Sequence, residues 1–366
     1  MNLRIPGPTP CSPDVLQAMS AQMINHRGPE FAALMERLTS GLQPFFQTQR
    51  EVLLMTCSGT GGMEAAIVNT LSPGDRVLAV SIGAFGNRFA EIAELYGADV
   101  TRLEVEWGRA VEPEQVRDAL RAGFDYRAVL VTHNETSTGV TNPLAAIADV
   151  VRAESDALLL VDAVSSLGSI PLETDAWGVD VVTTASQKGW QVPPGLAMLA
   201  FSDRAWAAAE AATMPRFYLD ARKHREFAAK GQTPATPVLS VMFGLEVALE
   251  RMRSEGRDAI FARHTRVADH TRAGVKALGL ELFADEAVAS DAVTAVKVPE
   301  GVDGKGLSRI MREERGTVLA GGQGKLAGKI FRIGHLGWVD EPEIDRTLEA
   351  LQATLPEVGY KTAARA

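Results

Sequence analysis

From residue 52 onward, short apolar runs alternate with stretches whose apolar residues recur at helical spacing, and no other feature restricts the fold as much. Val52–Met55, Arg76–Val80, Val100–Val105, Ala128–Thr132, Ala157–Val161, Val179–Thr184 and Leu196–Phe201 read as strands. Between them, Gly61–Leu71, Asn87–Tyr96, Pro113–Ala122 and Leu144–Glu154 read as helices. Strands alternating with helices imply βαβ units, and so an α/β fold with a mostly parallel, doubly wound sheet. The runs VLLMT and ALLLV are apolar almost throughout, as strands covered on both faces must be. Upstream, Pro6, Pro8, Pro10 and Pro13 leave the first thirty residues irregular and keep them out of any long helix. Phe31, Leu34, Met35, Leu38, Leu42 and Phe45 then mark a helix over Glu30–Phe46. Past about residue 250 the pattern changes to a long charged helical stretch, Arg251–Ala277, followed by Thr294–Val298, Ser308–Glu314 and Lys329–Ile333. That is the alternation of a smaller α+β unit. The expected division is an N-terminal segment (1–20), a large domain (21–250) and a small C-terminal domain (251–366), with no linker between the last two and hence a shared interface.

The size fits this division, since 366 residues are many for one core and comfortable for two. With 37 Lys and Arg against 46 Asp and Glu the formal charge is −9, which argues against nucleic acid or an anionic membrane as the main partner. Cys11 and Cys57 provide neither a disulfide framework nor a metal spacing, so a reducing compartment is expected. No apolar run has the length of a membrane span or a signal-peptide core. The ending KTAARA is neither a peroxisomal signal nor a lipidation box. These features place the chain in the cytoplasm. The histidines form no HExxH or i,i+4 pair, and no metal site is expected. His264 and His270 read as solvated positions on the charged helix. Arg216, Arg222, Lys223, His224 and Arg225 read as a solvated face or a subunit rim.

In a doubly wound sheet, ligands lie beyond the carboxyl ends of the strands. Ser58, Gly59 and Thr60, followed by Gly61 and Gly62, open a helix after a strand. The stretch reads equally as an anion cradle or as a tight turn that needs glycine. It is neither a GxGxxG nor a P-loop. Asp162 ends a buried strand, where a carboxylate either caps a turn or faces a cation. Lys188, between Gln187 and Gly189 just past the next strand, is either a surface charge or a desolvated amine suited to attack a carbonyl. Phe85, at another strand end, is either a core residue or a stacking surface. Together these parts meet the needs of pyridoxal 5'-phosphate: a lysine for the aldehyde, an aspartate that keeps the ring nitrogen protonated, a cradle for the phosphate and an aromatic for the ring.

The sequence resembles the class V, fold type I aminotransferases, and among them the alanine–glyoxylate, serine–glyoxylate and serine–pyruvate group. The resemblance runs through Pro6-Gly7-Pro8-Thr9, CSGTGGMEAA (57–66), THNETSTGV (132–140), LLLVDAVSSLG (158–168), SQKGWQVPPG (186–195), TPATP (233–237) and FRIGHLG (331–337). It implies that Lys188 holds the cofactor and shuttles a proton, that Asp162 pairs with the ring nitrogen, and that Val164 and Phe85 flank the ring. It implies phosphate contacts from Ser58, Gly59, Thr60 and Gln187, and a contact from Thr136 on the ring-hydroxyl side. Thr236 and Thr233 are implied to reach the phosphate of the partner subunit, which makes a homodimer part of the site. Arg332, aided by the Gly7 backbone, is implied to grip the substrate carboxylate. Other members carry Trp and His where Phe85 and Thr60 stand here, which weakens the inference of their exact substrates. His26 and Arg27 either read a second anionic group or bond backbone at a helix start.

The function expected is transfer of an amino group from alanine or serine to a 2-oxo acid such as glyoxylate or pyruvate. Relatives of this scaffold also serve ureidoglycine and aspartate. A lyase such as a cysteine desulfurase needs a nucleophilic cysteine near the substrate arginine, and residues 317–331 contain none. A non-catalytic subunit with this fold would be expected to have lost Lys188, Asp162 or Arg332. A nicotinamide dehydrogenase lacks its GxGxxG here.

Overall fold

The structure, a computed structural model, describes residues 1–360; residues 361–366, the terminal KTAARA and the end of the expected C-terminal domain, lie outside the described residues. The chain opens with β1 (Asn2–Arg4), α1 (Pro13–Met19) and α2 (Pro29–Phe46). The alternation follows as β2 (Val52–Met55), α3 (Gly59–Thr70), β3 (Arg76–Ser81), α4 (Ala84–Leu95), β4 (Asp99–Glu104), α5 (Pro113–Arg121) and β5 (Ala128–Thr132). A short hairpin, β6 (Asn134–Glu135) and β7 (Val140–Thr141), precedes α6 (Leu144–Glu154), β8 (Leu158–Asp162), β9 (Val181–Ala185) and β10 (Ala197–Phe201). Then come α7 (Asp203–Ala211), α8 (Ala221–Ala228), α9 (Leu239–Glu255), α10 (Arg257–Ala277), β11 (Val293–Lys297), α11 (Gly304–Glu313), β12 (Thr317–Gly321), β13 (Ile330–Gly334) and α12 (Glu341–Thr354).

Seven strands form one sheet in the order β2-β10-β9-β8-β5-β3-β4, parallel throughout except for β10, which runs antiparallel to both neighbours. Alternate strand residues feed two separate cores. Leu54, Val80, Val129, Val131, Leu159 and Val161 join α2, α6 and α9 on one face. Leu53, Met55, Ala79, Leu130, Leu158 and Leu160 join α3, α4 and α7 on the other. The period of two along each strand therefore fills both faces, which is why β2, β5, β8, β9 and β10 are buried at every position. Because β2, β3, β5, β8 and β9 all point the same way, their carboxyl ends share one edge.

A second sheet, β1-β12-β13-β11, carries its own core with α11 and α12. Its edge strand is β1, which pairs in parallel with β12 from Asn2 opposite Thr317. The N-terminal stretch read as irregular thus contributes a strand and a one-sided short helix, though no long one, as its prolines require. The single helix expected over Arg251–Ala277 is two: Gly256, at φ +87°, ends α9 and opens α10. None of the described helices is long and apolar enough to cross a membrane.

Three polar expectations are corrected by packing. His264 is fully buried: Nδ1 lies 2.7 Å from the Ile260 carbonyl and the Gly337 amide donates to Nε2 at 3.0 Å. Burial pushes its pKa down to about 3, so it serves as a neutral acceptor. His270 is exposed, beside Asp345. The Arg216 guanidinium, read as part of a solvated face, is instead buried and donates to the carbonyls of Val68, Ala209, Ala212 and Met214. His224 is buried as well, against the Tyr218 carbonyl.

Candidate active site

The shared carboxyl edge collects most of the residues singled out by the sequence. Asp162 is the last residue of β8 and is paired across the ladder with Thr183 of β9. Three residues past the end of β9 stands Lys188, so two side chains 26 positions apart fall on adjacent strand ends. Asp162 accepts from the Val164 amide at 2.9 Å and the Thr132 hydroxyl at 3.3 Å. Desolvation, aided by the nearby Glu135 charge, raises its pKa to about 6 against those bonds and the Lys188 charge. Lys188 moves the opposite way. Desolvation first, then the charges of Arg332 and Arg88, lower its amine to about 8, opposed only by Asp162. The pair is poised between neutral and ionised forms, as pairs at functional sites tend to be.

The lysine loop is held from several sides. Trp190, fully buried between Phe45 and Phe46, donates from Nε1 to the Thr184 hydroxyl at 3.0 Å. The Ser186 hydroxyl donates to the Pro193 carbonyl and receives the Leu196 amide. The N-terminal segment crosses above: the Thr9 amide donates to the Gln187 carbonyl and the Thr9 hydroxyl to the Lys188 carbonyl, both at 3.0 Å. Lys188 Nζ donates to the carbonyl of Pro6. Gly7, at φ +136°, leaves no room for a side chain, because a Cβ there would fall 2.5 Å from Nζ. Gly7→Ala is therefore expected to displace the Lys188 amine and to cost about 1–3 kcal/mol of backbone strain. Calorimetry and the pH titration of amine reactivity check this; an unchanged titration would show that Gly7 does not border the amine.

Ser58 is the N-cap of α3, yet its hydroxyl makes no capping bond. The first amides of α3 and the Thr60 hydroxyl lie beside it, which is the donor set of an anion cradle. Gly59 must be glycine, since a Cβ would meet Val164 at 2.7 Å. Arg88, which the sequence reading missed, donates from Nη1 to the Thr60 hydroxyl at 3.3 Å and lies over the Phe85 ring at 4.8 Å. It is three residues beyond Phe85 on α4, and that spacing was the available signal. Gln187 has a buried Oε1 with no partner.

Arg332 reaches this edge from β13 of the other sheet. It is buried, and its guanidinium donates to the Gly321 carbonyl at 2.7 and 3.0 Å and to the Thr136 carbonyl at 2.9 Å. Thr136 thus meets the site through its backbone. Burial lowers the Arg332 pKa to about 10, with Glu135 the opposing charge. Thr233 and Thr236 stand on the loop between α8 and α9, and among the described residues no hydrogen bond ties them to Lys188. Thr233 is buried and donates to the Ala235 carbonyl, whereas Thr236 is exposed. Arg27 is engaged by the same loop, donating to Gln232 Oε1 and the Thr233 carbonyl. Cys57, beside the cradle, has its thiol pushed up to about 11 by burial. Among the described residues no group of three His, Cys, Asp or Glu is placed to hold a metal ion.

Known proteins match the chain over nearly its whole length. The chain is 47% identical to the "Soluble hydrogenase, small subunit" of Synechococcus sp. (strain PCC 6716), over 98% of this chain and 94% of that one. It is 42% identical to the L-aspartate–glyoxylate aminotransferase of Paracoccus denitrificans, over 91% of this chain and 85% of that one. The crystal structure of alanine–glyoxylate aminotransferase from Nostoc sp. superposes with a TM-score of 0.93 at 34% identity, covering 96% of this chain and 94% of that chain. The family model of class-V aminotransferases matches residues 3–330. With Lys188 and Asp162 on neighbouring strand ends and nine-tenths of its length matched, the chain belongs to the class-V aminotransferases.

Proposed function

We propose that this protein is a pyridoxal 5'-phosphate-dependent transaminase that moves an amino group from a small amino acid, alanine or serine, to a 2-oxo acid such as glyoxylate. The observation that carries the reading is the desolvated Lys188 amine beside a buried Asp162, next to a cradle whose donors are unspent. The residues fit the cofactor. Ser58, Thr60, the α3 amides and Gln187 would hold its phosphate, with Arg88 supplying positive charge. Phe85 and Val164 would flank the ring, Thr136 would border its hydroxyl side, and Asp162 would face its nitrogen. Bound there, the cofactor supplies an electron sink for the bonds at the substrate's α-carbon.

The protein's own share is proton handling and placement. Lys188 would take and return the substrate's α-proton, a task suited to an amine near pKa 8. Asp162, faced with a cationic ring, would ionise and keep that ring protonated, since an opposite charge reverses its burial shift. Arg332 would bind the α-carboxylate bidentately, helped by the Gly7 backbone. Arg88 lies against Thr60 and Phe85, which leaves Arg332, among the described residues named at this site, as the guanidinium for a carboxylate. A single fork favours alanine or serine over a dicarboxylic donor, and glyoxylate is the acceptor named for both aminotransferase relatives above. Thr233 and Thr236, which make no hydrogen bond to their own Lys188 among the described residues, would reach the phosphate of a second subunit in a homodimer.

The test is a panel of amino donors against glyoxylate, pyruvate and 2-oxoglutarate, followed by absorbance of the bound cofactor. No change in the spectrum with any donor would end this reading. Arg332→Lys keeps the charge and loses the fork, and is expected to raise KM for donor and acceptor alike by roughly tenfold or more. A variant with normal KM values and a lowered melting temperature would instead make Arg332 a structural residue.

A further inference from the structure

Glu135 is fully buried at the centre of the strand-end cluster, and no role described above uses it. Its Oε2 accepts the backbone amides of Phe85 and Gly86, both at 3.0 Å. Its Oε1 accepts the Ser137 amide at 3.0 Å and the Ser137 hydroxyl at 2.6 Å. The same hydroxyl receives the Ala84 amide at 2.9 Å. The first three amides of α4, which no helix can satisfy internally, are thus all capped from a hairpin fifty residues later in sequence. Burial pushes the Glu135 pKa up, but every hydrogen-bond partner of the carboxylate donates, and these bonds favour the ionised form against that burial. Its negative charge lies against the positive end of the α4 dipole and counts toward keeping Arg332 charged.

The approach is close. A Cβ at Gly83 would overlap Glu135 Cγ and Cδ as well as Ser137 Oγ, so the α4 entrance and the hairpin lock together only with glycine at that position. On one side of this lock stands Phe85, held by its own amide. On the other stands Thr136, whose carbonyl receives Arg332 Nη1 at 2.9 Å. One carboxylate thereby fixes the Phe85 ring and the Arg332 guanidinium relative to each other, although one stands on α4 and the other on β13 of the second sheet.

We infer that Glu135 is the positioning residue of this site, setting the Phe85 face for the cofactor ring and, through Thr136, the placement of Arg332 for the substrate carboxylate. This rests on the cofactor reading given under the proposed function. A glutamine there retains the shape but has one acceptor oxygen, so its NH2 must face amide donors on one of the two sides. An aspartate retains the charge but is one methylene too short to span both.

The experiment compares the full-length wild type, Glu135→Gln and Glu135→Asp by melting temperature, by pyridoxal 5'-phosphate affinity from absorbance titration, and by the KM–kcat split. Both variants are expected to melt as cooperative proteins. Their cofactor Kd and both substrate KM values should rise by roughly tenfold to a hundredfold. A helix cap with only a structural role would lower the melting temperature and the number of active sites while leaving Kd and KM at wild-type values, and that result overturns the inference. If neither variant folds, Ser137→Ala, which removes only the hydroxyl between Glu135 and the Ala84 amide, takes their place. The same changes at smaller size support the inference, and unchanged Kd and KM reject it. Failure of the wild type itself to take up the cofactor would strike the proposed function and this inference with it, whereas a normal wild type with unaffected variants would strike this inference alone.

Discussion

Replacement of Lys188 by alanine is expected to leave a folded protein whose turnover falls by roughly a thousandfold or more, because the positioned amine proposed to move the α-proton is gone. Folding should survive, since the loop is held by Trp190, Ser186 and Thr9 as well as by the bond from the amine to the Pro6 carbonyl. Retention of even about a tenth of wild-type turnover would remove Lys188 from the reaction. The same amine carries a pH prediction. Only the unprotonated form attacks an aldehyde, and burial lowers its pKa to about 8, against an ordinary lysine value near 10.4. Near pH 7 about a tenth of it is then reactive, where an ordinary lysine offers well under a hundredth of that. Uptake of pyridoxal 5'-phosphate by the apoprotein should accelerate with rising pH, reach half its maximum near pH 8, where half of the amine is neutral, and level off about one unit above that. A rate still climbing at pH 10 would mean that the amine is solvated.

Asp162→Asn is expected to retain cofactor uptake while slowing the donor half-reaction by on the order of a hundredfold or more, roughly 2.7 kcal/mol on the barrier. An amide is neutral and cannot hold a proton on the ring nitrogen, so the charge left at the α-carbon loses its sink. The substitution keeps the acceptor for the Val164 amide, so the strand end should hold its shape. Stopped-flow absorbance with one amino donor measures the effect. An unchanged rate would mean that the carboxylate faces away from the reacting group.

The strand ends were legible because burial on both faces writes β2, β5 and β8 as unbroken apolar runs, and polar residues at their termini then stand out. Asp162 and Lys188 could be paired on those grounds. Arg332 could not, because it arrives from a different sheet and no spacing in the sequence relates β13 to β8; its place came from family resemblance. Glu135 and Arg88 were missed for different reasons. Glu135 lies in a polar run, THNETSTG, that reads as a loop although every residue of it is buried. Arg88 sits on an amphipathic helix where a charge is the ordinary expectation. His264 and Arg216 were misread because periodicity assigns a face and does not reveal which neighbour covers it. Gly256 divides a stretch that is helical on both sides, and only its left-handed backbone shows the break.

The pairing of Asn2–Arg4 with Thr317–Leu319 has a consequence for how the protein is made. Asn2 and Thr317 are 315 residues apart, so a ribosome releases the two strands far apart in time. Until β12 emerges, β1 has no neighbour, and the Pro6–Thr9 stretch that roofs Lys188 is tethered on one side only. The seven-stranded sheet, by contrast, is complete once residue 201 has appeared. A nascent chain can therefore shape the floor around Asp162 and Lys188 long before it can close the ceiling.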